Sequence, residues 1–214
     1  MIISGLGTDV SQIDSLVEGF SRTHRVIAFD NRGVGRTDKP DVPYTIEMMA
    51  EDAAGLLRAL GVSRCNVLGF SMGGRIALSL ALEHPELVKS LILAMTSAKM
   101  NYDRGILWTL SNLLLRIPAV RAIGTKYPQP YYAYVRQRDA SRGFDVTSRL
   151  RGIKVPTIII QGKKDKFVPT FLAEEIHSGI AGSSLVRVEG SHTFALTNQK
   201  EFVRLVAGLL NQSE

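Results

Sequence analysis

Short apolar runs alternate with amphipathic stretches along most of the chain. Six runs consist mainly of β-branched or aliphatic residues and are bounded by turn residues, which is the pattern of buried strands. These runs cover residues 2–4, 25–30, 65–70, 90–95, 157–162 and 184–189. Because parallel strands that are covered on both faces have nearly continuous apolar sequences, the runs predict a mainly parallel sheet.

Helices are predicted between these strands. Apolar residues at steps of three and four between Thr45 and Gly61 indicate a helix that the threonine can cap and the glycine can end. Three further helices are predicted from Ser71 to about Glu83, from about Thr170 to about Gly179, and from about Lys200 to about Leu210. This alternation of strands and helices predicts an α/β fold.

The alternation stops in residues 98–152, where no strand is predicted. An apolar helical stretch over residues 106–117 is followed by Pro118 and then by a polar, basic segment. We interpret residues 98–152 as a helical lid that is inserted into a core formed by residues 1–97 and 153–214.

The composition is typical of a globular domain. The chain has 214 residues, of which 45% are hydrophobic and 21% charged, which is enough apolar material for one compact core. Its single cysteine, Cys65, cannot form an intramolecular disulfide, and no uncharged apolar run approaches the roughly 18 residues of a membrane-spanning helix. The first residues lack the basic segment of a signal peptide, so we expect a cytoplasmic protein.

Positive charge is concentrated in the predicted lid. The chain carries a net charge of +6, and residues 99–154 contain eleven Lys or Arg against three Asp. A solvated helical face is the simpler interpretation, and an anionic partner or substrate is the alternative. Because no Lys/Arg run reaches the roughly five to eight residues of a basic tract, we do not expect a nucleic-acid partner.

One serine stands in a motif that favours nucleophilic chemistry. Residues 69–73 read Gly-Phe-Ser-Met-Gly and fit the pattern G-x-S-x-G, between a predicted strand and a predicted helix. In a nucleophile elbow this serine occupies a strained turn that exposes its hydroxyl, and the two glycines avoid collisions with the neighbouring strand and helix. Ser71 is therefore the candidate nucleophile; a loop serine in a glycine-rich turn is the alternative.

A serine hydroxyl needs a base that accepts its proton. His192 is the candidate base, because it follows the strand predicted at residues 184–189 and so lies at the carboxyl edge of the sheet, where sites of open α/β sheets assemble. The remaining histidines precede a strand, follow a helix or lie in a charged helix; they are His24, His84 and His177.

The base in turn needs a group that orients it. Asp165 is the candidate, since it follows the strand predicted at residues 157–162 and would lie at the same edge. Its role would be to fix the tautomer of the imidazole and to stabilise the imidazolium. A surface aspartate in a turn beside lysines is the alternative. The chain order serine, aspartate, histidine differs from the orders in chymotrypsin-like and subtilisin-like enzymes.

Attack on an ester carbonyl creates an oxyanion, which requires N–H donors that are already in place. One candidate donor is the backbone N–H of Met72, directly after the nucleophile at the start of the predicted helix. The other is the N–H of Leu6, in the loop of residues 4–7 that follows the first predicted strand. An ordinary glycine turn is the alternative interpretation of this loop.

The chain resembles the α/β-hydrolase superfamily, in its lid-bearing branch of esterases, enol-lactonases and C–C hydrolases. The most specific segments are SGLG (4–7), FDNRGVGRTDKP (29–40), VLGFSMGG (67–74), HPELVKSLIL (84–93), PTIIIQGKKDKFVP (156–169) and EGSHTF (189–194). The resemblance implies a catalytic triad and two oxyanion donors, which are Ser71, Asp165 and His192, and Leu6 and Met72. A serine at the position where epoxide hydrolases and haloalkane dehalogenases have aspartate favours acyl chemistry.

Three departures from the family pattern change the expectation. Ser4-Gly5 stands where relatives usually have His-Gly, the two strands with which relatives usually begin are absent, and the lid is short, which indicates a more open pocket. Without those two strands, residues 25–30 would form an exposed sheet edge, and an unpaired apolar edge favours association. We therefore expect either a homodimer through this edge or a chain that is a fragment.

The leading functional hypothesis is a serine hydrolase that cleaves carboxylic esters of small to medium acyl chains. Phe70, Trp108, Leu113 and Leu114 are the candidate pocket residues, and packing of the lid helix on the core is the alternative role of the last three. The basic lid motivates a second hypothesis, an enol-lactonase or C–C bond hydrolase for a carboxylate-bearing substrate. A non-catalytic ligand-binding homologue is the third, because a fold does not fix a function. No motif calls for a metal or a cofactor.

Overall fold

The computed structural model describes residues 1–100 and 105–211, with the side chains of residues 105–108, 111 and 211 outside this description. Within these residues one parallel sheet contains five strands, which lie side by side in the order that they have in the sequence. The strands are β1 (Ile2–Ile3), β2 (Cys65–Phe70), β3 (Val88–Ala94), β4 (Thr157–Gly162) and β5 (Ser184–Val188). The structure therefore confirms the α/β fold with a parallel sheet.

Helices connect and flank the strands. They are α1 (Asp14–Ser21), α2 (Ile46–Ala59), α3 (Met72–Glu83), α4 (Gly105–Leu114), α5 (Pro118–Arg121), α6 (Tyr131–Ala140), α7 (Thr170–Gly179), α8 (Phe194–Thr197) and α9 (Gln199–Asn211). Five of them, α2, α3, α4, α7 and α9, correspond to helices predicted from the sequence pattern. None of the helices in the described residues has the length and the apolar character that a membrane crossing requires.

The predicted ends of α2 show how local sequence sets a helix boundary. The hydroxyl of Thr45 accepts a hydrogen bond from the N–H of Met48 at 3.0 Å, which satisfies one of the free donors at the helix start. Gly61 has a φ of +65° directly after the last turn, a conformation that glycine adopts without strain. Both predictions of the sequence analysis are confirmed.

Two apolar layers cover the sheet. On one face, α2, α3 and α7 bury side chains such as Leu57 and Ile76. On the other face, α1 and α9 bury Leu16, Phe202 and Val206. Because all strands are parallel, their carboxyl ends meet at a single edge, and the loops that follow β1, β2, β4 and β5 come together there.

The two edges of the sheet differ from the prediction. Residues 25–30 do not form a regular strand: only Ala28 pairs, as a single bridge to Ile2, although the N–H of Ile2 also donates to Ile27 O at 2.8 Å. The reason is that β1, the only neighbour, is two residues long. At the other edge, β5 is a strand but its residues are half-buried or exposed, because it pairs with β4 alone. The prediction of a regular strand is therefore wrong for residues 25–30. For residues 184–189 the predicted strand is confirmed, but its burial is not.

The segment between β3 and β4 contains helices, as predicted. Helices α4, α5 and α6 lie there, and a single antiparallel bridge joins Lys99 to Asp145 at the base of the segment. Pro118 was expected to end the first helix, but α4 ends at Leu114 and Pro118 begins α5, where its missing N–H costs nothing. The division of the chain into a core and a lid stays a prediction, and we use "lid segment" below for residues 105–152.

Candidate active site

Ser71 occupies a strained turn between β2 and α3. Its φ and ψ are 53° and −120°, and positive φ is uncommon for a residue that has a side chain. Two hydrogen bonds hold this conformation: the N–H of Ser71 donates to Ala94 O at 2.9 Å, and the hydroxyl of Thr96 donates to Ser71 O at 2.7 Å. Strain of this kind costs about 1–3 kcal/mol and is concentrated at functional sites. The predicted strained turn is confirmed.

The two glycines of the motif allow backbones to approach closely. A Cβ atom on Gly69 would lie 2.4 Å from Gly73 O, and a Cβ on Gly73 would lie 2.1 Å from Ile3 O. Both neighbours are backbone atoms, which cannot rotate away as a side chain would. The turn can therefore pack between the strand and the helix only if both positions are glycine, as the sequence analysis predicted.

Replacement of Gly73 by Ala is expected to destabilise the fold. The added methyl group overlaps the backbone of β1, so we expect a loss of about 3 kcal/mol or more in the free energy of unfolding. Gly55→Ala is the matched control, because Gly55 lies within α2 and nothing stands within 4 Å of the position of its Cβ. This control should gain about 0.5 kcal/mol or more. Urea unfolding measures both changes, and similar effects of the two substitutions would contradict the steric explanation.

Ser71, His192 and Asp165 lie in hydrogen-bond contact. Ser71 Oγ is 2.9 Å from His192 Nε2, and His192 Nδ1 is 2.8 Å from Asp165 Oδ2. An ionised carboxylate can only accept, so the imidazole proton lies on Nδ1 and donates to Asp165. Nε2 is then unprotonated and faces the serine hydroxyl as an acceptor. The structure brings together the three residues that the sequence analysis selected, in the order that proton transfer requires.

Local structure fixes the orientation of Asp165. Its side chain is inaccessible to solvent, and Oδ1 accepts the N–H groups of Phe167 and Val168, each at 2.9 Å. These two bonds leave Oδ2 directed at His192. The loops after β4 and β5 meet closely, because a Cβ on Gly162 would lie only 2.6 Å from Gly190 O. The close contact of these loops places the carboxylate beside the imidazole.

The other histidines make contacts elsewhere. His24 lies 2.8 Å from the hydroxyl of Thr23, His84 lies 2.6 Å from a carboxylate oxygen of Glu51, and His177 lies 2.9 Å from the hydroxyl of Ser183 (distances from ring nitrogens). All three hydrogen bonds lie away from the carboxyl edge of the sheet.

The loop of residues 4–7, called the oxyanion loop below, lies against Ser71. A Cβ atom on Gly5 would be 3.4 Å from the Cβ of Ser71. Neither the N–H of Leu6 nor that of Met72 donates to an acceptor among the described residues. Met72 is the first residue of α3, where the helix dipole places a partial positive charge. Both candidate donors therefore lack an acceptor among the described residues, and their role toward an oxyanion stays a prediction.

A cavity of about 340 Å³ opens at this edge. Its wall includes Ser71, His192 and the oxyanion loop on one side and residues of the lid segment on the other. The lid residues are Leu115, Val120, Arg121, Ile123, Gln129 and Tyr134. This volume lies within the range of roughly 300–1,000 Å³ that is typical of small-molecule sites.

Two of the four predicted pocket residues do not reach this cavity. Phe70 lines it, but Leu113 and Leu114 are 56% and 54% exposed and do not belong to its wall. Since side chains of an α-helix turn by about 100° per residue, the apolar pattern indicated a helix but not which face meets the core; Leu115 takes their place. The side chain of Trp108 lies outside the described residues.

Arg121 is the feature of the cavity that the sequence analysis missed. Among the described residues of the wall, it is the only charged side chain apart from the ionisable His192. Its guanidinium donates to the carbonyls of Gln129 at 3.0 Å, Leu115 at 2.6 Å and Arg116 at 2.9 Å, and lies 5.4 Å from the ring centre of Tyr131. Within residues 1–100 and 105–211 no carboxylate neutralises it.

Comparisons with known proteins agree with this architecture. The model of the alpha/beta hydrolase fold family matches residues 1–116. A Variovorax paradoxus protein provisionally named carbamate hydrolase RutD is 29% identical and aligns with 98% of this chain and 90% of its own length. A poly(3-hydroxyalkanoate) depolymerase of Ectopseudomonas oleovorans is 26% identical over 99% of this chain and 84% of its own. The crystal structure of an enol-lactonase from Burkholderia xenovorans superposes with a TM-score of 0.83, at 26% identity over 98% of this chain and 90% of that one.

Proposed function

The chain belongs to the α/β-hydrolase fold family, and on that premise we propose that it is a serine hydrolase that cleaves carboxylic esters of small to medium acyl chains. The observation that supports this proposal most is the hydrogen-bonded series of hydroxyl, imidazole and buried carboxylate at 2.9 and 2.8 Å. The names of its relatives, which include a depolymerase and a lactonase, support hydrolysis as the reaction class.

The first half-reaction would form an acyl-enzyme. Ser71 Oγ attacks the carbonyl carbon of the ester while its proton moves to His192 Nε2. Asp165 stabilises the imidazolium that results. The carbonyl oxygen becomes an oxyanion, which accepts hydrogen bonds from the N–H groups of Leu6 and Met72. When the tetrahedral intermediate collapses, the C–O bond to the leaving group breaks, and the proton on Nε2 passes to the departing alcohol.

The second half-reaction would release the acid. A water molecule gives a proton to His192 Nε2 and attacks the acyl carbon, and the same two amides stabilise the second oxyanion. Collapse of this intermediate breaks the bond to Ser71 Oγ, which takes the proton back from the imidazolium. Both halves use the same three side chains, so the unprotonated Nε2 is needed twice in each turnover.

A carboxylate-bearing substrate is the second candidate, and Arg121 is the observation that favours it. Among the described residues Arg121 has no carboxylate partner, and in a largely apolar cavity its guanidinium would provide a site for an anionic group of the substrate. One relative, from Acinetobacter baylyi, is named 3-oxoadipate enol-lactonase 2 and is 24% identical to this chain. A lactone or ester of a dicarboxylic acid would place its free carboxylate against this guanidinium.

Replacement of Arg121 by Gln separates the two candidates. If the substrate carries a carboxylate, we expect kcat/KM for the mono-p-nitrophenyl ester of a dicarboxylic acid to fall by about tenfold or more, since a charged hydrogen bond contributes about 1.5–3 kcal/mol. Neutral p-nitrophenyl esters of two to eight carbons should change by less than about threefold. Arg116→Gln removes the same charge from an exposed lid residue outside this cavity and is the matched control. If R121Q hydrolyses both ester types as fast as wild type does, the carboxylate-bearing substrate is contradicted and only the neutral-ester proposal remains.

We also propose a homodimer through the sheet edge at residues 25–30, because four of these residues are only half-buried and a single bridge pairs them. Light scattering should then give twice the monomer mass at micromolar concentration, and a monomer throughout would contradict it.

A cytoplasmic location is proposed because Cys65 is the only cysteine, and fractionation of producing cells tests it.

A further inference from the structure

We propose that Gln137, on helix α6 of the lid segment, is a positioning residue that holds the oxyanion loop in its working geometry. The proposal rests on the acyl transfer proposed above, because the loop has a catalytic role only if an oxyanion forms. It assigns to the lid segment a part in the reaction beyond enclosing the substrate.

The side-chain amide of Gln137 is completely buried and uses both of its ends. Its Oε1 accepts the backbone N–H of Gly7 at 3.1 Å and the Nε2 of Gln129 at 3.0 Å. Its Nε2 donates to Arg32 O at 2.7 Å. A rotated amide would place a donor against two donors, so these contacts fix which atom faces the oxyanion loop.

The contact with Gly7 controls the direction of the Leu6 amide. Gly7 has a φ of +69°, and the N–H of Thr8 donates to Gly5 O at 3.2 Å, so the loop is a tight turn. The N–H of Gly7 belongs to the peptide group that directly follows Leu6. Without Gln137 this half-buried donor would lose its acceptor, and the turn would rotate to satisfy it. Such a rotation moves the preceding N–H, that of Leu6, away from the position of the oxyanion.

The residues behind Gln137 are themselves held in place. Gln129 Nε2 also donates to Gly33 O at 2.7 Å, and the guanidinium of Arg32 donates to both carboxylate oxygens of Asp52 at 2.5 Å. The hydrogen bonds with Asp52 raise the pKa of Arg32 above its ordinary value. The carbonyl that anchors Gln137 therefore sits on a fixed part of the core.

Other contacts of the same helix provide a matched comparison. The hydroxyl of Tyr132 donates to Lys39 O at 2.9 Å and so joins α6 to the core without contact to the oxyanion loop. If Gln137 only attached the lid segment to the core, loss of the Tyr132 hydrogen bond would have a similar consequence. If Gln137 positions the loop, only the change at Gln137 affects the chemical step.

The test compares three variants by steady-state kinetics with a p-nitrophenyl ester. Gln137→Met keeps the length of the side chain and removes its hydrogen bonds; we expect kcat to fall about 10- to 100-fold, part of the effect of a lost oxyanion donor, with KM within about twofold. Gln137→Glu keeps an acceptor for the Gly7 N–H, and its other oxygen can donate to Arg32 O when the buried acid is protonated. This variant should stay within about fivefold of the wild-type kcat. Tyr132→Phe should leave both parameters unchanged.

Equal losses of kcat in Q137M and Q137E, or a loss in Y132F as large as in Q137M, would overturn the proposal. Hydrogen exchange at the Gly7 amide gives a readout that is independent of activity. It should be at least about tenfold faster in Q137M, or in Gln137→Leu if Q137M does not fold, and close to wild type in Q137E and Y132F. Unchanged exchange in the variant without the acceptor would also overturn the proposal. If wild type does not hydrolyse esters, the proposed function fails. The hydrogen-exchange rates would still test whether Gln137 holds the Gly7 N–H.

Discussion

Replacement of Ser71 by Ala is expected to lower kcat/KM for ester hydrolysis by about 10⁴-fold or more. The substitution removes the atom that forms the acyl-enzyme, and His192 then has no hydroxyl from which to accept a proton. The fold should persist, because alanine fits the space of serine and the hydrogen bonds at this turn use only the backbone of Ser71, apart from the one with His192. Initial rates with a p-nitrophenyl ester measure the change, and thermal unfolding confirms that the protein is intact.

Ser183→Ala is the matched control for this prediction. Ser183 is a partly buried residue between α7 and β5, and among the described residues its hydroxyl forms hydrogen bonds only with His177. The same chemical change there should leave the rate within about twofold of wild type. If Ser71→Ala kept more than about a tenth of the wild-type rate, another group would carry out the attack.

Replacement of Asp165 by Asn should lower kcat by about 10³- to 10⁴-fold. The asparagine would keep its Oδ1 on the N–H groups of Phe167 and Val168, because an amide nitrogen there would face two donors. Its Nδ2 would then point at His192 Nδ1 and donate to it. The imidazole proton would move to Nε2, which could no longer accept the proton of Ser71.

The same explanation predicts the activity of a double variant. Ser71→Ala combined with Asp165→Asn should be no slower than Ser71→Ala alone, since residues that act as one unit do not have additive effects. Asp14→Asn, at an exposed position in the first turn of α1, is the control for the chemical change and should retain full activity. Additive losses in the double variant would show that Asp165 acts independently of the proposed series.

Much of the fold and of the site could be predicted because local sequence determines it. The G-x-S-x-G motif specifies its own turn, since Gly69 and Gly73 are needed wherever a strand and a helix approach so closely. Asp165 and His192 could be identified because each directly follows an apolar run, and parallel strands bring such positions to one edge. These inferences need only the residues adjacent in the sequence and the rule that parallel strands bring their carboxyl ends to one edge of the sheet.

The features that were missed depend on partners that are distant in the sequence. Which residue near the end of α4 reaches the cavity depends on how the lid segment lies on the core, so Leu113 and Leu114 could not be distinguished from Leu115 by their spacing. Gln137 follows a polar segment that looks solvated, yet it is buried because Gly7 and Arg32 supply its hydrogen-bond partners. No sequence signal marks a glutamine whose partners lie 130 and 105 residues away.

Covalent labelling with a fluorophosphonate tests the central claim most directly. Attack by an activated serine forms an O–P bond and releases fluoride, so the proposed site predicts one adduct per chain, located by peptide mass spectrometry on Ser71 and absent from Ser71→Ala. A protein that remains unlabelled, or a Ser71→Ala variant that still labels at the same rate, would contradict acyl transfer at this residue and would favour a ligand-binding homologue without turnover.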